Sequence, residues 1–206
     1  MSKDLLYLAL GDSTGCGVGA RSGGGYPDRL LARLRPAHPA LRLVNLCRSG
    51  ATTRDLIDEQ LPSASKHRPR VVTVGIGIND LGLQVPDDAF AMNLEEIAMA
   101  LGRLGAPVIV ANIPDLALAP AARRIVPLSL YEKRIEMFNL HVTATAARHR
   151  LTCVDLFSWS REVLSDRPEY FSADGFHPSA AGYEVWAERM LPSLESALRE
   201  AARAPA

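Results

Sequence analysis

The sequence has little cysteine, few aromatic residues and no excess of charge of either sign. Its 206 residues include three cysteines, aromatic residues make up 6% of the chain, and 23 basic side chains balance 23 acidic ones. Cys16, Cys47 and Cys153 form an odd set without CxxC spacing, which argues against a disulfide framework and favours a reducing compartment with the thiols packed as small core residues. Balanced charge without a basic run argues against nucleic acid as a partner.

Long hydrophobic runs are also missing. The apolar stretch near the start is short, follows Asp4 and leads into Gly11-Asp12-Ser13, where a signal peptidase would need small neutral residues. We therefore expect no signal peptide, no stable membrane insertion and a cytoplasmic location. The length suits one domain over residues 1–206, with a frayed tail from about residue 199. The sequence does not indicate an oligomeric state.

Apolar runs typical of buried strands alternate with segments of helical periodicity. We predict strands at 5–10, 41–46, 71–76, 107–111 and 151–156. Helices are predicted from Pro27 to Pro36, from Thr52 or Thr53 to Pro62, from Asp87 to Gly105, from a Ser129 and Glu132 capping box to Arg150, and from near Ser179. This alternation predicts parallel strand pairing with helices on both faces, an α/β fold with a three-layer α/β/α sandwich.

Irregular segments follow three of the strands, at 15–26, 112–128 and 157–178. Because the carboxyl ends of parallel strands share one edge of the sheet, these loops should crowd that edge, where ligands bind in open α/β sheets.

Ser13 stands where the first strand ends and is the candidate nucleophile. A serine needs a base to take its proton and a carboxylate to orient that base. Asp174 and His177 lie three residues apart before the last helix, a spacing that lets the carboxylate reach one ring nitrogen while the other faces outward. Ser13, His177 and Asp174 therefore supply a catalytic triad.

Donors for a tetrahedral oxyanion follow the next two strands. Gly50 offers a backbone N–H without a side chain, and Asn79 offers a side-chain amide. The N–H of Ser13 would be a third donor. Asp80, beside Asn79, is interpreted as a brace for its own loop through backbone hydrogen bonds.

These blocks resemble the SGNH hydrolases of the GDSL family. Gly-Asp-Ser at 11–13, Gly50, Gly77-x-Asn79-Asp80 and Asp174-x-x-His177-Pro178 occur in the order of that family. The resemblance implies a flavodoxin-like five-stranded parallel sheet, hydrolysis of a small-molecule ester or thioester through an acyl-serine, no metal and no cofactor. The family also includes thioesterases, lysophospholipases and sugar deacetylases. Apolar residues of the second loop are consistent with an acyl pocket or with packing over the sheet: Leu116, Leu118, Ile125, Val126 and Leu128.

Two other motifs match parts of the first loop. Residues 11–15 satisfy the G-x-S-x-G elbow of α/β-hydrolases, but that elbow follows several strands and here follows one. Residues 15–20 fit the dinucleotide fingerprint G-x-G-x-x-A, and Arg48 resembles a reader of a 2′-phosphate. An NADP-type oxidoreductase is thus one alternative, although it leaves Asn79 and the Asp174–His177 pair unused. A non-catalytic ligand-binding module on the same fold is another.

Overall fold

A central parallel sheet organises the molecule. The computed structural model describes residues 5–124 and 127–203. Its strands are β1 (Leu5–Gly11), β2 (Leu41–Asn45), β3 (Val71–Gly75), β4 (Val108–Ala111) and β5 (Thr152–Val154). Their spatial order is β2-β1-β3-β4-β5, and every pairing is parallel. This is the flavodoxin-like order, so the predicted fold is confirmed.

Helices cover both faces of the sheet. They are α1 (Ser13–Cys16), α2 (Tyr26–Leu34), α3 (Thr53–Asp55), α4 (Leu61–Ala64), α5 (Ile78–Gly82), α6 (Asp87–Gly102), α7 (Leu128–His149), α8 (Leu156–Val163) and α9 (Ala180–Arg203). Shorter turns are the π turn Leu56–Gln60 and the 3-10 turns Leu116–Leu118, Pro120–Arg124 and Pro168–Tyr170. Within the described ranges, no helix is both long and apolar enough to cross a membrane.

The core divides along β1, since alternate side chains of a strand point to opposite faces. Tyr7 and Ala9 pack in one buried cluster with α2 and α9. Leu8 and Leu10 pack on the other face, with Leu56 of the π turn and the inner side of α6. Both faces of β1 are therefore buried, which explains its continuous apolar run.

Two helix boundaries differ from the prediction. Pro62 does not end its helix, because the π turn Leu56–Gln60 precedes it and Pro62 falls in the first turn of α4, where a missing N–H is tolerated. The capping box of Ser129 and Glu132 does not form, because α7 begins already at Leu128 with no side-chain cap.

The last predicted loop contains a helix. Residues 157–178 include most of α8, whose first turn is capped by the Asp155 side chain accepting from the Ser158 N–H. Because α8 is only about two turns long, its sequence shows little helical periodicity. At the C-terminus, where we expected fraying from about 199, α9 continues to Arg203, and 204–206 lie outside the described residues.

The cysteines are free thiols, but they are less buried than expected. Cys16 is exposed, and Cys47 and Cys153 are half-buried against the core. Cys16 lies at the outer end of α1 rather than in the core, and its Sγ lies 3.3 Å from the Cys47 carbonyl oxygen.

A pair of glycine substitutions tests the packing of β1 against β3. Gly11 has φ +147°, and a Cβ there would lie 2.1 Å from the Gly75 carbonyl oxygen. We expect Gly11→Ala to destabilise the protein by more than about 3 kcal/mol, from a backbone clash and an unfavourable φ. Gly102 of α6 has open space around its Cβ position, so Gly102→Ala should stabilise by about 0.5 kcal/mol. Urea unfolding measures both; a Gly11→Ala midpoint equal to that of the wild type would contradict this account.

Candidate active site

Three of the predicted site residues contact one another at the carboxyl edge of the sheet. Ser13 follows β1, Gly50 follows β2 and Asn79 follows β3, while Asp174 and His177 lie in the loop before α9. The His177 Nε2 lies 3.1 Å from the Ser13 Oγ, and the His177 Nδ1 lies 2.7 Å from the Asp174 Oδ2. The structure therefore connects these three side chains in one hydrogen-bonded chain.

Ser13 is held at the first turn of α1 and is almost completely buried. Asp12 caps this helix, because its Oδ1 accepts from the Thr14 N–H at 2.9 Å and the Thr14 hydroxyl at 2.8 Å. The Gly11 N–H donates to the Gln60 Oε1 at 2.9 Å, and the Gln60 Nε2 donates to the Gly11 carbonyl at 2.8 Å. The Gln60 side chain thus makes with Gly11, two residues before Ser13, the pair of hydrogen bonds that a neighbouring strand would make.

Sequence reasoning missed Gln60. It lies in a π turn that turns its amide inward, and the sequence carries no signal of that irregular turn. The one hint in the sequence is that Gln60 stands four residues after Leu56, on the apolar side of the predicted helix.

Asp174 is arranged to remain ionised. Its Oδ1 accepts from the Phe176 N–H, the His177 N–H and the Ser172 hydroxyl at 2.8–2.9 Å. Partial burial opposes ionisation, but these donors and the His177 ring outweigh it and hold the pKa of Asp174 well below its usual range. Because an ionised carboxylate only accepts, the His177 Nδ1 donates to it. The Nε2 of neutral His177 is then free to accept from the Ser13 hydroxyl.

The segments after β2 and β3 are tied together. Gly50 has φ +79° and is exposed. The Asn79 Nδ2 donates to the Ala51 carbonyl at 2.8 Å. Asp80 accepts from the Thr53 N–H at 3.0 Å and from the Thr53 hydroxyl at 2.5 Å. Asp80 therefore braces the neighbouring segment, a correction to the interpretation that it braces its own loop.

Asp12 is the second carboxylate close to Ser13, and its environment is opposite to that of Asp174. It is fully buried, and its Oδ2 has no hydrogen-bond partner within the described ranges. Burial, opposed by the two hydrogen bonds from Thr14, raises the pKa of Asp12 to about 6.

The first loop does not have the form of a dinucleotide site. That fingerprint needs a helix to begin within the glycines, whereas α1 ends at Cys16 with Gly17 in the left-handed region. Arg48 pairs with Asp55 and Glu59, each at 2.9 Å. No grouping of three or more metal-ligating side chains occurs in 5–124 or 127–203.

The loop residues considered for an acyl pocket separate in the structure. Leu116 lines a cavity beside Ser13, whereas Leu118 lines a different groove. Leu128 begins α7. Ile125 and Val126 lie outside the described residues.

Comparison with known proteins gives a family match over most of the chain. Residues 9–185 match the model of the GDSL-like Lipase/Acylhydrolase family. The GDSL-like esterase Rv1075c of Mycobacterium tuberculosis is 27% identical over 203 residues, which cover 96% of this chain and 64% of that protein. The chain thus spans about 64% of the length of this relative. Esterase TesA of Pseudomonas aeruginosa is 25% identical over 191 residues, covering 93% of this chain and 88% of that protein.

Solved structures agree with the fold. A crystal structure of TesA superposes with a TM-score of 0.77 at 25% identity, covering 93% of this chain and 98% of the other. LAE5, an α/β hydrolase enzyme from the metagenome of Lake Arreo, Spain, superposes with a TM-score of 0.76 at 24% identity, covering 93% and 95% of the two chains.

The raised pKa of Asp12 predicts a pH-dependent stability. A folded-state pKa of about 6, against 3.8 for the unfolded chain, means that this group favours folding below pH 3.8 and that the contribution is lost as pH rises through 6. Asp12→Asn removes this loss, so the free energy of unfolding of the variant relative to the wild type should increase by roughly 2 kcal/mol between pH 4 and pH 7. Urea unfolding across this range measures the difference.

Asp58→Asn serves as the control. Asp58 is exposed, and its hydrogen bond from Arg54 lowers its pKa. Its contribution to stability is therefore lost only below pH 3.8, and this variant should run parallel to the wild type above pH 4. An Asp12→Asn curve that is equally parallel would contradict the raised pKa.

Proposed function

Because the chain belongs to the GDSL-like lipase/acylhydrolase family, we propose that it is a serine hydrolase of small carboxylic esters or thioesters, which acts through an acyl-serine. The family match over residues 9–185 and the esterase names of the relatives support this activity. The observation that carries the proposal is the 3.1 Å contact between the His177 Nε2 and the Ser13 Oγ. A ligand-binding module without catalysis would have no use for this contact or for the ionised Asp174 behind it.

In the proposed acylation step, the Ser13 Oγ attacks the carbonyl carbon while its proton passes to the His177 Nε2. The carbonyl π electrons move to oxygen and form a tetrahedral oxyanion. When this collapses, the bond to the leaving group breaks, and the alcohol or thiol takes the proton from His177. Asp174 keeps the ring in the required tautomer and stabilises its charged form.

Deacylation repeats these proton transfers with water. His177 takes a proton from the attacking water, the bond from the acyl carbon to Ser13 breaks, and the Ser13 oxygen recovers its proton. The products are the carboxylic acid and the free serine, so the cycle closes without any cofactor.

We assign the oxyanion donors as the N–H groups of Ser13 and Gly50 and the side-chain amide of Asn79. The Asn79 Nδ2 carries two N–H groups, and the bond to the Ala51 carbonyl uses one of them. That bond fixes the amide plane and leaves the second N–H to donate. Preorganised donors of this kind stabilise charge that develops only in the transition state.

The first test removes the proposed nucleophile by substitution of Ser13. Ser13→Ala should lower kcat on p-nitrophenyl acetate or butyrate by about 10⁴-fold or more and should abolish labelling by a fluorophosphonate. Ser129→Ala, at an exposed serine of α7, is the matched control and should behave as the wild type. Equal turnover and equal labelling of the Ser13→Ala and wild-type proteins would overturn the proposed function.

The oxyanion assignment predicts a separation of kcat from KM. Asn79→Ala should lower kcat by about 10²- to 10³-fold with KM changed by only a few-fold, because the lost hydrogen bond strengthens in the transition state. Asn93→Ala removes an amide that donates to the Thr53 hydroxyl and has no place at the oxyanion, so its kcat should stay within a few-fold of the wild type. An unchanged kcat in Asn79→Ala would remove Asn79 from the site.

A further inference from the structure

A small cavity, partly enclosed, lies beside the proposed nucleophile. Ser13 and His177 line it on one side, and most of the other lining residues are apolar, among them Leu116 after β4, Trp159 of α8, Phe171 and Trp186 of α9. The accessible volume of the cavity is about 40 Å³. This is enough for a small group and far less than a bulky group requires.

The far wall of this cavity is thin. Leu164 and Phe171 line the cavity and also line a separate open groove on the outer surface. That groove includes Leu118 and has about 660 Å³ on the same measure. The two side chains therefore lie between a small cavity and a larger, more open groove.

Two other side chains lie between the cavity and the groove that contains Asn79. Ile78 and Phe176 line the cavity and also line a wide groove that contains Asn79 and Leu130. This groove has about 680 Å³ and is open to solvent. The small cavity and this wide groove thus share Ile78 and Phe176 as a common wall, and Ser13 and His177 lie on the cavity side.

The carboxylate in the lining of the small cavity is compensated. Asp115 contributes to its lining and is 5% exposed. Its Oδ2 accepts from the Arg161 Nε at 2.6 Å, and its Oδ1 accepts from the Ala117 N–H at 3.1 Å. With this carboxylate neutralised, the cavity suits an apolar group rather than a cation or a sugar.

We propose that the small cavity binds the acyl chain and that Leu164 and Phe171 limit this chain to acetyl to butyryl length, while the open groove beside Asn79 takes the alcohol or thiol. This assignment rests on the proposed function. A carbonyl carbon attacked by Ser13 directs its acyl chain and its leaving group away from each other, so it needs two recesses. Of these two recesses, the groove beside Asn79 is the one with room for a leaving group of variable size. Leu164, at the far wall of the cavity, then determines which acyl chains fit.

The test compares kcat/KM on p-nitrophenyl acetate, butyrate and octanoate. We expect the wild type to hydrolyse octanoate at least tenfold less efficiently than butyrate. Leu164→Ala opens the cavity into the outer groove and should raise the octanoate-to-butyrate ratio about tenfold. Leu164→Trp fills the cavity and should lower the butyrate-to-acetate ratio. Because the two substitutions change the preference in opposite directions, a general loss of stability cannot produce both results.

Leu130→Ala is the matched control, since Leu130 lines the other groove and is 61% exposed. It should leave the order of the three esters unchanged. A wild type that prefers octanoate, or a ratio that responds to Leu130→Ala but not to either change at Leu164, would overturn the assignment while leaving the hydrolase function intact. Absence of turnover on all three esters, together with absence of fluorophosphonate labelling, would overturn the proposed function itself.

Discussion

The contact between His177 and Ser13 joins residues 164 positions apart, and the arrangement of the site depends on it. The sheet edge places Ser13, and the start of α9 places His177. Close packing of the first loop holds the two together: the Tyr183 hydroxyl donates to the Val18 carbonyl at 2.8 Å. Gly19, with φ +90°, lies so near that a Cβ would come within 2.9 Å of the His177 Cβ. A side chain at Gly19 would push the base away from the serine.

Two carboxylates near this contact show how environment decides their roles. Asp174 receives three hydrogen bonds on one oxygen and the His177 ring on the other, so its pKa is lowered. Asp12 is fully buried with one oxygen unpartnered, and its pKa is raised. Only Asp174 is therefore suited to stabilise a charged imidazole, while Asp12 orients the turn that carries Ser13.

The sequence was sufficient to predict those features of the fold and the site whose physical cause lies within a short segment of the chain. Continuous apolar runs predicted the strands because both faces of β1 are buried. The three-residue spacing of Asp174 and His177 predicted that these two side chains would contact each other. It was insufficient where the cause is a contact between distant segments. The bidentate pairing of Gln60 with Gly11, the bond from Thr53 to Asp80 and the wall formed by Leu164 and Phe171 depend on three-dimensional packing. The π turn before Pro62 could not be predicted either, because no sequence pattern indicates such a turn. It places Pro62 in the first turn of α4, where a proline is accommodated instead of ending the helix.

The central claim is that Ser13 becomes covalently acylated during turnover. The most direct measurement is rapid acid quench of the protein mixed with p-nitrophenyl butyrate, followed by digestion and mass spectrometry of the peptides. The account predicts one butyryl group, located on Ser13, which forms with the release of p-nitrophenol and disappears as butyrate is produced. An acyl group found only on another residue, or steady hydrolysis with Ser13 never acylated at any quench time, would contradict it.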